Sequence, residues 1–208
     1  MLHEKTSLFS CYNDRRWLLH ACCAPCSGSI METLLAQQID YTVFFYNPNI
    51  HPLEEYEIRK HEIKQFAKKL KVPFVDADYD VENWFTHVHG LEQEPERGER
   101  CTACFTLRLA KTAQYAHTHG FSVFATSLGI SRWKNVEQVN ECGQQVAQHY
   151  PKLVYWGYNW RKQGGAQQAI TIAKREKFYR QTYCGCIYSL NGKYKNERIE
   201  IIKNIMEL

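Results

Sequence analysis

Nine cysteines in 208 residues, most of them in tight groups, are the side chains here whose type and spacing can do chemistry. Cys22, Cys23 and Cys26 form a CCxxC group, Cys101 and Cys104 a CxxC, and Cys184-Gly185-Cys186 a CxC. Residues three apart on a helix share a face, so Cys101 and Cys104 can address one metal centre. A helix N-terminus also favours thiolate, the form that binds iron or zinc. Neighbouring side chains on an extended strand point apart, so Cys22 and Cys23 serve one centre only if the chain turns there; Ala24-Pro25 supplies the turn. Four thiolates suit a tetrahedral zinc or a four-iron cluster, and ligand type alone does not choose between them. Structural zinc knuckles usually take both pairs from short hairpin loops, whereas these two pairs are far apart in sequence, and more cysteines are present than four ligands use. A disulfide between residues two apart is strained and easily reduced, and Gly185 relieves part of that strain. Cys184 and Cys186 therefore suit reversible electron storage or metal ligation better than stabilisation. Cys11 and Cys142 have no partner at an informative spacing and read as ordinary free thiols.

The elements that must position these groups alternate. WLLHA (17–21) is a short apolar run leading into Cys22, and SGSIMETLLAQQ (27–38) has helical spacing at Ile30, Leu34 and Leu35. YTVFFY (41–46) reads as a second strand, and the segment after Pro52 as a helix with Tyr56, Ile63, Phe66, Ala67 and Leu70 on one face. VPFV (72–75), FSVFATS (121–127) and LVYW (153–156) read as further strands. A helix is expected from about Thr102 to His117, stopping at Gly120, and a charged amphipathic helix over 195–208. Strands alternating with helices predict an α/β fold: a Rossmann-like parallel sheet flanked by helices, in one domain spanning 1–208. In such sheets ligands bind beyond the carboxyl ends of the strands. Cys22-Cys23 and Ser127-Leu128-Gly129 both fall at such ends, so the metal site is expected there.

No segment approaches the roughly 18 apolar residues a membrane-spanning helix requires. The N-terminus has acidic residues and does not resemble a secretory signal, so a cytosolic location is expected, where clustered thiols are ligands or redox catalysts rather than staples. A net charge of +4 is too small for binding nucleic acid over the whole surface. It is unevenly placed, however: Arg161, Lys162, Lys174, Arg175, Lys177 and Arg180 cluster with Glu176 as the only carboxylate among them, while the stretch from Asp76 to Glu99 is acidic.

Six ordered motifs resemble the QueH-type epoxyqueuosine reductases: LLHACCAPCS (18–27), YNPNIHPLEEYEIR (46–59), GERCTACFTLRL (98–109), FATSLGISRWKN (124–135), NWRKQGGAQQAI (159–170) and REKFYRQTYCGCIYS (175–189). The resemblance runs through nearly the whole chain. It implies a cytosolic metalloenzyme that reduces the epoxide of epoxyqueuosine, at the wobble position of tRNA, to the cyclopentene of queuosine. It assigns Cys22, Cys23, Cys101 and Cys104 to a [4Fe-4S] cluster. It also implies redox-active Cys184 and Cys186, as a disulfide or as ligands of an additional iron, with Cys26 as that iron's third ligand. Arg161, Lys162, Gln163 and Arg175 would then grip the RNA, with salt-dependent phosphate contacts, and Trp133 or Trp160 would stack an unpaired base. His20, His51, Tyr46, Tyr56 and Tyr183 read as packing residues before proton donors.

Two rivals compete with this reading. A tRNA-thiolation or nucleotide-alpha-hydrolase relative would need a glycine-rich pyrophosphate loop such as SGGxDS after the first strand, where CCAPCSGS stands. A zinc-stabilised, non-catalytic RNA-binding module would carry a redox-silent metal. The sequence names neither the electron donor nor the proton route.

Overall fold

The computed structural model describes Phe9, Tyr12 and residues 14–190. Cys11 and the helix expected over 195–208 lie outside them. Five strands fall on the five apolar runs: β1 (Trp17–His20), β2 (Tyr41–Phe45), β3 (Phe74–Asp76), β4 (Val123–Thr126) and β5 (Val154–Tyr155). They pair entirely in parallel, in the order β3-β2-β1-β4-β5. Among the described residues six helices connect and cover them: α1 (Ala24–Ala36), α2 (Leu53–Lys69), α3 (Val81–Val88), α4 (Glu99–Thr118), α5 (Val136–Ala147) and α6 (Gly165–Arg175).

The strands are apolar on both sides because both faces are covered. Trp17, Leu19, Val43 and Phe45 pack with Ile30, Ile63, Phe66 and Ile172 of α1, α2 and α6. Leu18, Phe44 and Phe124 pack with Phe105, Leu109, Val139 and Val146 of α4 and α5. The chain builds β2 and β3 on one side of β1, then returns to place β4 on the other. The order therefore reverses between β1 and β4, the point in such sheets beyond whose carboxyl ends ligands bind.

Four helices end alike. Gln38, Lys71, Gly120 and Lys177 have φ of 56°, 57°, 71° and 57°. The next amide in each case, from Ile39, Val72, Phe121 or Phe178, reaches back to Leu34, Ala67, Ala116 or Ala173, the doubly bonded left-handed helix terminus. Each of those four following residues is buried, so helix termination and core entry are one event. Gly120 was legible as a stop; the other three positions carry long polar side chains. The last of these ends α6 at Arg175. Lys177 and Arg180 thus fall beyond the helix and do not share a face with Lys174 and Arg175, contrary to their helical spacing.

α5 meets the sheet closely enough that a Cβ on Gly143 would lie 2.3 Å from Tyr155 Cζ, and that ring is anchored by its hydroxyl donating to Asn140 Oδ1 at 3.0 Å. Overpacking costs about 1–3 kcal/mol, against up to about 1 kcal/mol gained by removing glycine from a helix. Gly143→Ala is therefore expected to lower stability by about 1–2 kcal/mol, read as a lower urea midpoint at unchanged slope.

Candidate metal centre

β1 ends at His20, and three residues later Cys23, in extended backbone (φ −174°), forms the N-cap of α1 with Pro25 in the first turn. The expected turn at Ala24-Pro25 is thus already helix, and proline suits that position because its missing N–H has no helical acceptor there. Cap and third helical residue face each other at a helix start, which brings Cys26 back toward Cys23. The Sγ atoms of Cys22, Cys23 and Cys26 all lie within 4.8 Å of one another, with Cys22 and Cys23 3.7 Å apart. Cys22 and Cys23 are buried and Cys26 half-buried. Hydrogen bonds from Cys23 and then Cys26 hold the Cys22 thiol well below its ordinary pKa, against the upward push of burial. Cys26 is correspondingly raised by its bonds to Cys22 and Cys23. Metal binding at such a trio releases the thiol protons.

Among the described residues these three form the close group, and Cys101, Cys104, Cys184 and Cys186 are not part of it. Cys101, in the first turn of α4, packs against the apolar cluster that contains Cys22 and Cys23, and its Sγ accepts the Arg97 amide at 3.2 Å. Cys104 packs with Trp84, Val88, Ile187 and Cys186 in the adjoining cluster. Cys184 charge acts on Cys101, on Cys186 and on Lys134, and Lys134 is attracted in turn to Cys22 and Cys26. All eight described cysteines are free thiols. Cys142 stands apart on α5, with its Sγ toward the Thr102 carbonyl at 3.8 Å.

The Cys184-Gly185-Cys186 loop is clamped from below. Arg59 Nη1 and Nη2 donate to the carbonyls of Cys184 and Tyr183 at 3.1 and 3.2 Å, and its Nε donates to buried Glu55 at 2.7 Å. His51 N donates to the Gly185 carbonyl at 2.9 Å. Gly185 has φ +111°, and a Cβ there would sit 2.9 Å from Arg59 Nη1; glycine is required by both conformation and space. Buried cations surround the sulfur: Arg59, Arg108 and Lys134 are 3%, 1% and 5% exposed. Arg108 donates to Asn47 Oδ1, and Asn47 donates to the Ala21 carbonyl just before the cysteines at 2.9 Å.

Exposed sulfur-free residues from the sequence reading divide. Trp133 is half-buried with Arg132 stacked over its ring at 5.1 Å, whereas Trp160 is 5% exposed inside the core and offers no face to a base. The Arg161 guanidinium is engaged with the carbonyls of Ile130, Ser131 and Lys134. Lys162 and Gln163 are exposed beside it. Arg175 ion-pairs with Glu32 and Glu176. The residues that sequence reasoning missed are Arg59, Arg97, Arg108 and Lys134; all but Arg97 stand inside quoted motifs as unremarked positions, and no local spacing marks any of them.

These residues fit an iron–sulfur group on chemical grounds. Three thiols meet just beyond β1, close enough to bind metal, a backbone amide already points at Cys101 Sγ, and buried Arg59, Arg108 and Lys134 can oppose thiolate charge. The sequence profile described as Epoxyqueuosine reductase QueH matches residues 17–192. This chain belongs to the QueH family. An Epoxyqueuosine reductase QueH of Haemophilus influenzae is 56% identical over 208 residues, covering 97% of this chain and 84% of its own. That of Acinetobacter baylyi is 60% identical over 178 residues, covering 86% and 82%, and that of Thermotoga maritima 34% identical over 176, covering 83% and 89%. The QueH relatives are named as reductases, and membership makes this chain an oxidoreductase. In fold it is similar to the U34-tRNA thiolase NcsA of Methanococcus maripaludis with its [4Fe-4S] cluster, at TM-score 0.52 and 12% identity, over 99% of this chain and 73% of that one. The thiolation rival thus shares the fold, which says nothing of the chemistry. No described helix is long and apolar enough to cross a membrane.

The two histidines near strand ends are structural. His20 Nε2 donates to the Tyr46 carbonyl at 3.1 Å, leaving Nδ1 to accept from Thr126 Oγ1 at 2.9 Å; His51 lies against Trp84 and Phe85. Burial lowers both to about 3, Arg108 adding to the effect at His20. Because the folded pKa is below the unfolded 6.5, the unfolded chain takes up the proton first; stability is held above pH 6.5 and lost as pH falls toward 3. Each histidine should remove about 2 kcal/mol between pH 7 and pH 5. Urea titrations at the two pH values should show His51→Phe losing about 2 kcal/mol less than the wild type over that interval.

Proposed function

We propose that this chain reduces epoxyqueuosine at the wobble position of tRNA to queuosine, with Cys22, Cys23, Cys101 and Cys104 holding a [4Fe-4S] cluster. Cys184 and Cys186 form the second redox element, and Cys26 joins them as ligands when an additional iron is bound. The observation that carries this reading is the close trio of Cys22, Cys23 and Cys26 just beyond β1, in a chain of a family named for that reaction.

Taking the oxygen from an epoxide and leaving a double bond consumes two electrons and two protons and releases water. Oxidation of the Cys184 and Cys186 thiols to a disulfide yields two electrons and two protons, so that pair meets the balance by itself. An external electron donor must then restore the dithiol. When bound, the iron centre supplies single electrons and a Lewis acid for the epoxide oxygen. Arg59 and His51 hold the Cys184 loop by its backbone, which fixes both sulfurs while leaving their side chains free to react.

Trp133, with Arg132 over it, offers an amphipathic platform for a splayed base, and exposed Lys162 and Gln163 border the same loop for phosphate and sugar contacts. Arg161 acts through the loop it pins, and Arg175 is held by two carboxylates. A cytosolic location keeps the thiols reduced between turnovers.

Anaerobic purification followed by iron and sulfide analysis should find about four of each per chain; one zinc per chain with no sulfide would favour the zinc-stabilised RNA-binding module and overturn the reductase. Cys184→Ser should keep the cluster absorbance yet lose conversion of epoxyqueuosine in tRNA by at least about a hundredfold. Full turnover in that variant excludes the second redox element.

A further inference from the structure

The segment joining β4 to α5 delivers two side chains to the sulfur centre from opposite ends. At its start, Ser127 is fully buried and bonded reciprocally to Cys22. The Cys22 amide donates to Ser127 Oγ at 3.2 Å, and Ser127 Oγ donates to Cys22 Sγ at 3.6 Å. At its end, Lys134 is 5% exposed. The intervening loop is locked by two guanidiniums: Arg161 on the carbonyls of Ile130, Ser131 and Lys134, and Arg97 on those of Arg132 and Trp133 at 2.9 and 3.4 Å. The Lys134 amide closes the turn on the Ser131 carbonyl at 3.1 Å. The Lys134 backbone is thereby fixed, and its side chain lies in the interior.

A buried ammonium normally has a carboxylate partner, since leaving its charge uncompensated in low dielectric costs several kcal/mol. Among the described residues, the groups that act most strongly on Lys134 are Cys184, Cys22, Cys26 and Arg108. Three are thiols and the fourth is another cation. Burial pushes Lys134 toward the neutral form, and the attraction of the three sulfurs more than offsets it. Neutral thiols supply no such attraction; a thiolate-ligated centre carrying net negative charge supplies it permanently.

We infer that Ser127 and Lys134 are positioning residues that set the reduction potential of the centre held at Cys22, Ser127 by its hydrogen bond to Cys22 Sγ and Lys134 as the buried counter-charge. The inference rests on the proposed cluster. Both devices favour the form with one more electron, so both raise the potential. The reaction gives this a purpose, because the centre must accept electrons from an outside donor before it delivers them to the substrate.

The test is an anaerobic redox titration of the iron-loaded protein, followed by cluster absorbance and by electron paramagnetic resonance of the reduced form. At a fixed solution potential, Lys134→Met should lower the ratio of reduced to oxidised centre about tenfold, a fall of about 59 mV for a one-electron couple. Ser127→Ala should lower it about threefold, in line with the loss of one modest hydrogen bond. Lys134→Arg and Ser127→Thr, which restore charge and hydroxyl, should return most of each shift. A purely structural role would leave the midpoint unmoved in every variant that retains its iron. If Lys134→Met is isolated without iron, Ser127→Ala and Lys134→Arg carry the comparison. Wild-type midpoints in Ser127→Ala and Lys134→Met, with iron and sulfide intact, overturn the inference and leave the cluster standing. Absence of iron and sulfide from the wild type overturns the cluster, and this inference with it.

Discussion

Sulfur charge buried beyond the end of a parallel sheet must be answered by positive charge and by donated hydrogen bonds, and most of this protein's unusual interior polarity serves that need. Arg59, Arg108 and Lys134 are nearly inaccessible to water, which is rare for such side chains unless they are paired. Only Arg59 has a carboxylate, Glu55, at 2.7 Å. Arg108 and Lys134 face the cysteine side of the fold with amide and sulfur partners. The N-terminus of α1, capped by Cys23, adds the positive end of a helix to the same place.

Rigidity follows from the same contacts. Each loop that carries a sulfur or borders one is fixed through its backbone rather than through its side chains. Arg59 and His51 take the carbonyls of the Cys184 loop, Asn47 takes that of Ala21, and Arg97 and Arg161 take those of the 130–134 loop. Backbone clamping leaves thiols free for ligation and redox change while holding them within reach of one another, the arrangement a preorganised site requires.

The exposed chemistry is separate from the buried chemistry. Trp133, Arg132, Lys162 and Gln163 lie on the solvent side of the loop whose inner end is Lys134. One short segment thus presents a stacking surface outward and a charge inward. Contact with an RNA base at Trp133 would bear on the same clamped frame that positions Lys134 against the sulfur.

The sequence by itself determined the strands, their parallel pairing and the strand end at which Cys22, Cys23 and Cys26 lie, because apolar runs, turn residues and cysteine spacing are local signals. It also marked Gly185, whose neighbours are both cysteine. It placed the Ser127 segment and Cys22 at the same sheet end but could not give the bond between them: they are 105 positions apart, and their side chains are matched only once β4 is laid beside β1. Arg59 looks like one more cation on an amphipathic helix until α2 is docked and its guanidinium is found under Cys184. Trp160 looks like a base-stacking residue until the core closes over it, and Arg161 like a phosphate contact until its donors are counted against three carbonyls. Burial and long-range hydrogen bonding are properties of the packed chain, and they decided which charged residues are enclosed beside the cysteines and which stay exposed.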